Sequence, residues 1–207
     1  MKDINSEHHY TSTGLDHRKL LMWAFLGSEC LFFGSLIAVH MVNRGQAALL
    51  HGLSPACILD IPLTSASTFV LLISSVMMVM AVAATERMNL NQTRLWLFMT
   101  ALLGSIFLGF QVYEFISFVD HGLTIRNNLF GSTFFTLTGF HGAHVTIGVI
   151  WLTSLLVLSF IRPSKAANPV NVDIAGLYWH FVDIVWIVIF TVVYLIGVME
   201  LDCSKAM

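Results

Sequence analysis

The chain has 207 residues, of which 57% are hydrophobic and 11% charged, with mean hydropathy +0.79 and a net charge of −2 when histidine is neutral. Soluble domains carry about 25% charged residues, so this composition excludes a disordered chain, a disulfide-stapled secreted module and an ordinary cytosolic enzyme, and points to lipid as the main solvent. With no basic excess, nucleic acid is excluded as a partner.

Residues 1–19 are polar and contain no short apolar core followed by a small-residue cleavage site, so no cleavable signal peptide is expected. Five stretches then meet the length of about 20 apolar residues that a membrane helix needs. They run from Leu20 to about Val42, Pro62 to Thr85, Leu95 to Phe118, Leu129 to Ile161, and Ile174 to Met199. The fourth is longer than a bilayer requires and is expected to tilt or project. Between them lie turn compositions: Gly45, Gly52 and Pro55 after the first, a short polar link over 86–94, Gly122 after the third, and Pro163 and Pro169 after the fourth. The expected fold is all-α: a single five-helix transmembrane bundle over 20–199, with a polar segment 1–19 and a tail 200–207.

Lys and Arg set the orientation. Seven (Lys2, Arg18, Lys19, Arg87, Arg94, Arg162, Lys165) fall on the N-terminal side and three (Arg44, Arg126, Lys205) on the other, which puts the N-terminus inside and the C-terminus outside. Cys30, Cys57 and Cys203 form no CxxC pair, so neither a disulfide frame, a zinc site nor covalent haem attachment is expected. No phosphate-binding loop, nucleophile elbow or HExxH motif is present.

Charges inside a membrane cost about 2.5–3.5 kcal/mol on insertion scales and need a reason. Glu29 lies about 14 Å into the first span at 1.5 Å per residue. It is either a proton-responsive or lipid-contacting acid, or a neutral acid donating one hydrogen bond to a neighbouring helix. His141 and His144, spaced i, i+3, share one face of the fourth helix, flanked by Gly139 and Gly142, which allow close helix approach. Two imidazoles are too few for structural zinc, and a pair on one face cannot bracket a haem, so hydrogen-bonded histidines in a helix interface are expected. His180 and Asp183 repeat the spacing in the fifth helix. They form either a proton-passing pair or an interhelical clasp with Trp179 and Trp186 as interfacial anchors. Gln111 and Glu114 share a face near the end of the third helix, where Glu114 is expected to reach the interface. Arg162, with Lys165, ends the fourth helix, placed either to contact lipid phosphate or to anchor the inner side.

Several strings carry more. Gly131-Ser-Thr-Phe-Phe-Thr-Leu-Thr-Gly-Phe-His-Gly-Ala-His-Val145 resembles the signature helix of subunit III of haem-copper oxidases, and Tyr178-Trp-His-Phe-Val-Asp-Ile-Val-Trp186 resembles that family's last-helix signature. Ser28-Glu-Cys-Leu-Phe-Phe33, Leu63-Thr, Ser74-Ser75-Val76 and Gln111-x-x-Glu114 follow in the family's order. The resemblance covers all five spans.

It implies an accessory subunit of a terminal oxidase that reduces oxygen to water and pumps protons, in a bacterial plasma membrane. This chain would carry no haem, copper or other metal. Haem a and copper would reside in partner subunits, with subunit I packed directly on the chain, and subunit II and a small subunit IV nearby. The chain resembles the short form that lacks the first two of seven helices, and bound phospholipid is implied in the cleft those helices would flank. Glu29 matches the family's carbodiimide-reactive carboxylate beside that cleft, and His141, His144, His180 and Asp183 match its buried polar positions. None is implied to be catalytic. The electron donor separates a cytochrome c oxidase of the haem a, a3 type from a quinol oxidase. A subunit-III-like accessory protein of nitric oxide reductase is a further alternative. A free-standing ion pathway is disfavoured by the absence of an inverted repeat.

Overall fold

A computed structural model describes residues 16–43, 61–120, 122–126, 129–162 and 169–196. It contains α1 (His17–Asn43), α2 (Ile61–Glu86), α3 (Leu90–Asp120), α4 (Leu129–Ile161) and α5 (Pro169–Ile189), the last continued by a π-helical turn, Phe190–Leu195. All five are long and apolar enough to cross a membrane, and no strand occurs among the described residues. Cys57, Lys165, Cys203, residues 1–15 and the tail 200–207 lie outside the described residues.

The helices begin earlier than their apolar cores because polar residues cap them. The Asp16 carboxylate accepts from the Arg18 backbone N–H at 2.9 Å, starting α1 before Leu20. Asn89 caps α3, its side-chain oxygen accepting from the Gln92 N–H at 3.3 Å. Pro169 opens α5, where its missing N–H costs nothing.

Two helix ends carry the same closing turn. After α3, Gly122 adopts φ +83°, its N–H bonds the Val119 carbonyl and the Leu123 N–H bonds that of Phe118. After α2, Met88 takes the glycine's place at φ +56°, with Met88 and Asn89 N–H groups returning to Thr85 and Ala84. This tight link holds α2 and α3 side by side.

α5 is the centre of the bundle. It packs on α1, α2 and α4, and α3 closes the ring between α2 and α4. Among the described residues α1 packs chiefly on α4 and α5, and 11% of its most apolar stretch is buried, against 56% for α5. Its buried residues, Leu26, Phe33 and His40, recur every seventh position, a single narrow seam.

The seam around α5 is set by tryptophan and glycine. Trp179 and Trp186 are fully enclosed, their indole N–H groups donating to Ser74 Oγ at 3.1 Å and Thr68 Oγ1 at 2.9 Å on α2. A Cβ at Gly104 of α3 would stand 2.5 Å from the Trp179 ring, and one at Gly148 of α4 2.8 Å from it. One indole therefore locks α2, α3, α4 and α5 together. The expected interfacial role for these tryptophans is corrected: each finds its N–H partner on a neighbouring helix and has no need of the membrane surface. The π turn admits an extra residue, so both Val193 and Tyr194 are buried, Tyr194 lying 6.1 Å from Phe134 between ring centroids.

Candidate functional site

Polar side chains gather along the helix seams inside the bundle. At the α1–α4 seam, Glu29 Oε2 lies 3.3 Å from His144 Nε2, both side chains largely buried. His144 Nδ1 lies 2.8 Å from the Phe140 carbonyl. A carbonyl only accepts, so Nδ1 carries a hydrogen, and a neutral ring would then face Glu29 with a bare lone pair. Nε2 is therefore the nitrogen turned toward the Glu29 carboxyl, and the contact ties α1 to α4. Phe33 packs edge-on to the imidazole at 5.1 Å, and the Tyr178 hydroxyl donates to the His144 carbonyl at 3.0 Å.

His141 does not share that seam. It is wholly buried, stacked on Trp186 at 4.8 Å and edge-on to Phe107 at 6.0 Å, and neither ring nitrogen has a hydrogen-bond partner among the described residues. The i, i+3 offset of about 60° around α4 sends one imidazole to α1 and the other to α3 and α5. Of the two histidines expected in one interface, His144 lies in the α1–α4 seam with Nδ1 at the Phe140 carbonyl of its own helix, and His141 lies elsewhere without a hydrogen bond among the described residues. Beside it, Gln111 of α3 donates to the Thr138 carbonyl at 2.8 Å and lies in the space left by Gly142. Gly139, expected to serve the same purpose, meets nothing within 4 Å.

On the α2–α5 seam, Ser75 Oγ stands 2.7 Å from His180 Nδ1 and also faces the Asp183 carboxyl, whose Oδ1 is buried without a partner among the described residues. His180 and Asp183 thus meet through an α2 hydroxyl that their spacing alone could not reveal. Glu114 is a second departure. It does not reach the interface but is buried between α2 and α3, where Thr64 Oγ1 donates to it at 2.6 Å with Tyr194 alongside. Glu114→Ala is therefore expected to cost about 1–3 kcal/mol by removing a buried acceptor of the Thr64 hydroxyl, read as a lower midpoint for thermal loss of the chain from its complex; Glu114→Gln should recover much of it.

At one end of the bundle, Lys19 bonds Asp173 at 2.6 Å, Arg18 bonds Asn171 at 3.2 Å, and Arg94 bonds Ser159 at 3.2 Å while lying over the Phe160 ring. Arg162 is exposed at the same end, where α4 stops. Cys30 is exposed on α1. Among the described residues, His, Cys, Asp and Glu form no group of three or more suited to a metal ion.

A family model described as cytochrome c oxidase subunit III matches residues 2–198. The chain belongs to that family. It is 40% identical over 177 residues to cytochrome c oxidase subunit 3 of Bacillus subtilis (strain 168), covering 84% of each chain. It is 37% identical over 175 residues to cytochrome c oxidase subunit 3 of Bacillus sp. (strain PS3), again covering 84% of each. It is also 39% identical over 175 residues to quinol oxidase subunit 3 of Bacillus subtilis (strain 168), covering 84% of this chain and 85% of that one. The chain is thus subunit III of a haem-copper oxidase, a multi-pass protein of the bacterial plasma membrane with oxidase subunits as its partners. Relatives of both names stand at nearly equal identity, so overall identity does not separate the two electron donors.

Proposed function

We infer that the chain is the non-catalytic subunit III of an aa3-type cytochrome c oxidase, packed on subunit I beside a copper-bearing subunit II and a small subunit IV. Haem a and copper belong to those partners. The N-terminus faces the cytoplasm. The chain braces subunit I, retains phospholipid, with Arg162 offered to a phosphate, and supports proton uptake at subunit I's inner mouth. The observation that carries this proposal is how the intramembrane polar groups are used. Glu29 and His144, Ser75 and His180, Thr64 and Glu114, and Gln111 and Thr138 each join two helices of this bundle. Such pairs fix a rigid scaffold.

A second reading, a quinol oxidase, is supported by the quinol oxidase subunit 3 relative at 39% identity. Steady-state oxygen consumption by the purified complex decides between them. Rapid turnover with reduced cytochrome c and none with a ubiquinol or menaquinol analogue is the expected result; the reverse would move the complex to the quinol branch.

A further inference from the structure

A notch of about 240 Å³ opens on the α2–α5 seam, lined by Val79, Val82, Ala83, Glu86, Asp173, Gly176, Leu177 and His180. Glu86 is the last residue of α2 and Asp173 lies in the first turns of α5, so both carboxyls mark the end of the bundle where Lys19 of α1 is paired to Asp173. His180 lies seven residues further along α5, about 10 Å deeper at 1.5 Å per residue. Gly176, on the notch wall, leaves room that a side chain would take: a Cβ there would meet Val82 at 3.2 Å. Beyond His180 the line continues as hydrogen-bonding groups. Its Nδ1 is 2.7 Å from Ser75 Oγ, and Ser75 faces Asp183, whose Oδ1 is buried without a partner among the described residues.

We propose that this notch is a proton inlet that ends on Asp183, with His180 and Ser75 as its relay. A proton arriving from water at the Glu86–Asp173 mouth binds His180 Nε2. The Nδ1 proton passes to Ser75 Oγ as the Ser75 hydroxyl proton passes to the Asp183 carboxylate. One proton has entered and one carboxylate has become an acid. His180 is left neutral in the opposite tautomer, now accepting from Ser75, and the reverse sequence resets the line. The relay has the parts such a transfer needs: an imidazole that lines the notch and turns Nδ1 to Ser75, a hydroxyl that donates and accepts, and a carboxyl with an unpartnered Oδ1 among the described residues. The ionisable groups facing it are Glu86 on α2, Asp173, His180 and Asp183 on α5, and Lys19 on α1. The inlet is a property of α2 and α5. It stands apart from the scaffold role and from the identity of the electron donor.

Infrared difference spectroscopy of the purified oxidase complex in water and deuterium oxide tests it. Asp183 should give a protonated-carboxyl C=O band that grows as pH falls, shifts on deuteration, and is missing in Asp183→Asn. In Ser75→Ala and His180→Phe the band should persist but exchange about tenfold or more slowly. Neither variant removes the carboxyl, so they stand even if Asp183→Asn fails to assemble. Exchange at the unaltered rate in both, or an Asp183 band that does not respond to pH, would overturn the inlet. A complex that lacked haem a would still give these bands, so failure of the oxidase assignment is separately visible.

Discussion

Trp179→Ala is expected to loosen four helices at once. The indole is 1% exposed, fills the space between Gly104 and Gly148, and donates to Ser74. Truncating a core tryptophan costs about 3–5 kcal/mol in water-soluble proteins. In lipid the transfer share shrinks, because acyl chains are as apolar as the core, and what remains is lost packing plus about 0.6 kcal/mol for the hydrogen bond. A loss of about 2–3 kcal/mol follows. It would be read as a fall in the midpoint for thermal dissociation of the subunit from the complex in mild detergent. The glycines give an independent check. Gly148→Ala drives a methyl to 2.8 Å from a ring whose other edge lies so close to Gly104 that a Cβ there would stand 2.5 Å from it. Overpacking of this kind costs about 1–3 kcal/mol. Gly139→Ala, on the same helix with nothing within 4 Å, should leave the midpoint unchanged. Equal behaviour of the two glycine variants would remove Trp179 as the locking element.

Glu29→Gln is expected to abolish carbodiimide labelling of the chain while leaving assembly intact. Carbodiimides attack a carboxyl in an apolar setting that the reagent can still reach, and Glu29 stands within a membrane span with its side chain 18% exposed. Glutamine keeps the interaction, since its amide N–H can donate to the bare Nε2. Glu29→Ala removes the partner of the imidazole Nε2, at about 1–3 kcal/mol, so it should weaken retention where Glu29→Gln does not. Glu114→Gln is the control: that carboxyl is buried in the opposite seam and held by Thr64, and its loss should not change labelling. Full-stoichiometry labelling in Glu29→Gln would move the reactive acid elsewhere.

The five spans were legible in the sequence because lipid imposes a single criterion, an apolar run long enough to cross it. The ends were less so. Asp16, Asn89 and Pro169 extend helices into polar sequence that a hydropathy window discards. Met88 at positive φ carries no sequence signal, because its strain is sustained by the short link between two long helices. The polar residues were legible as a set but not as partners. Glu29 meets His144, and His180 meets Ser75, across sequence separations that only packing decides. Tryptophan is equally suited to an interface or a core, so Trp179 and Trp186 could be placed only once Ser74, Thr68 and the two glycines were in view. The same ambiguity hid Glu114: being near a helix end says nothing about which side of the helix is wet. Tyr194 was hidden because no proline or glycine announces the π turn that brings it inward.

The central claim is that this bundle is a bracing subunit of a haem-copper oxidase. Affinity purification of the tagged chain from its own membrane in mild detergent tests it most directly, with a reduced-minus-oxidised visible spectrum and mass spectrometry of the co-purifying subunits. Haem a bands together with subunit I and a copper-bearing subunit II are the expected result. A chain recovered without haem and without an oxidase subunit would contradict it.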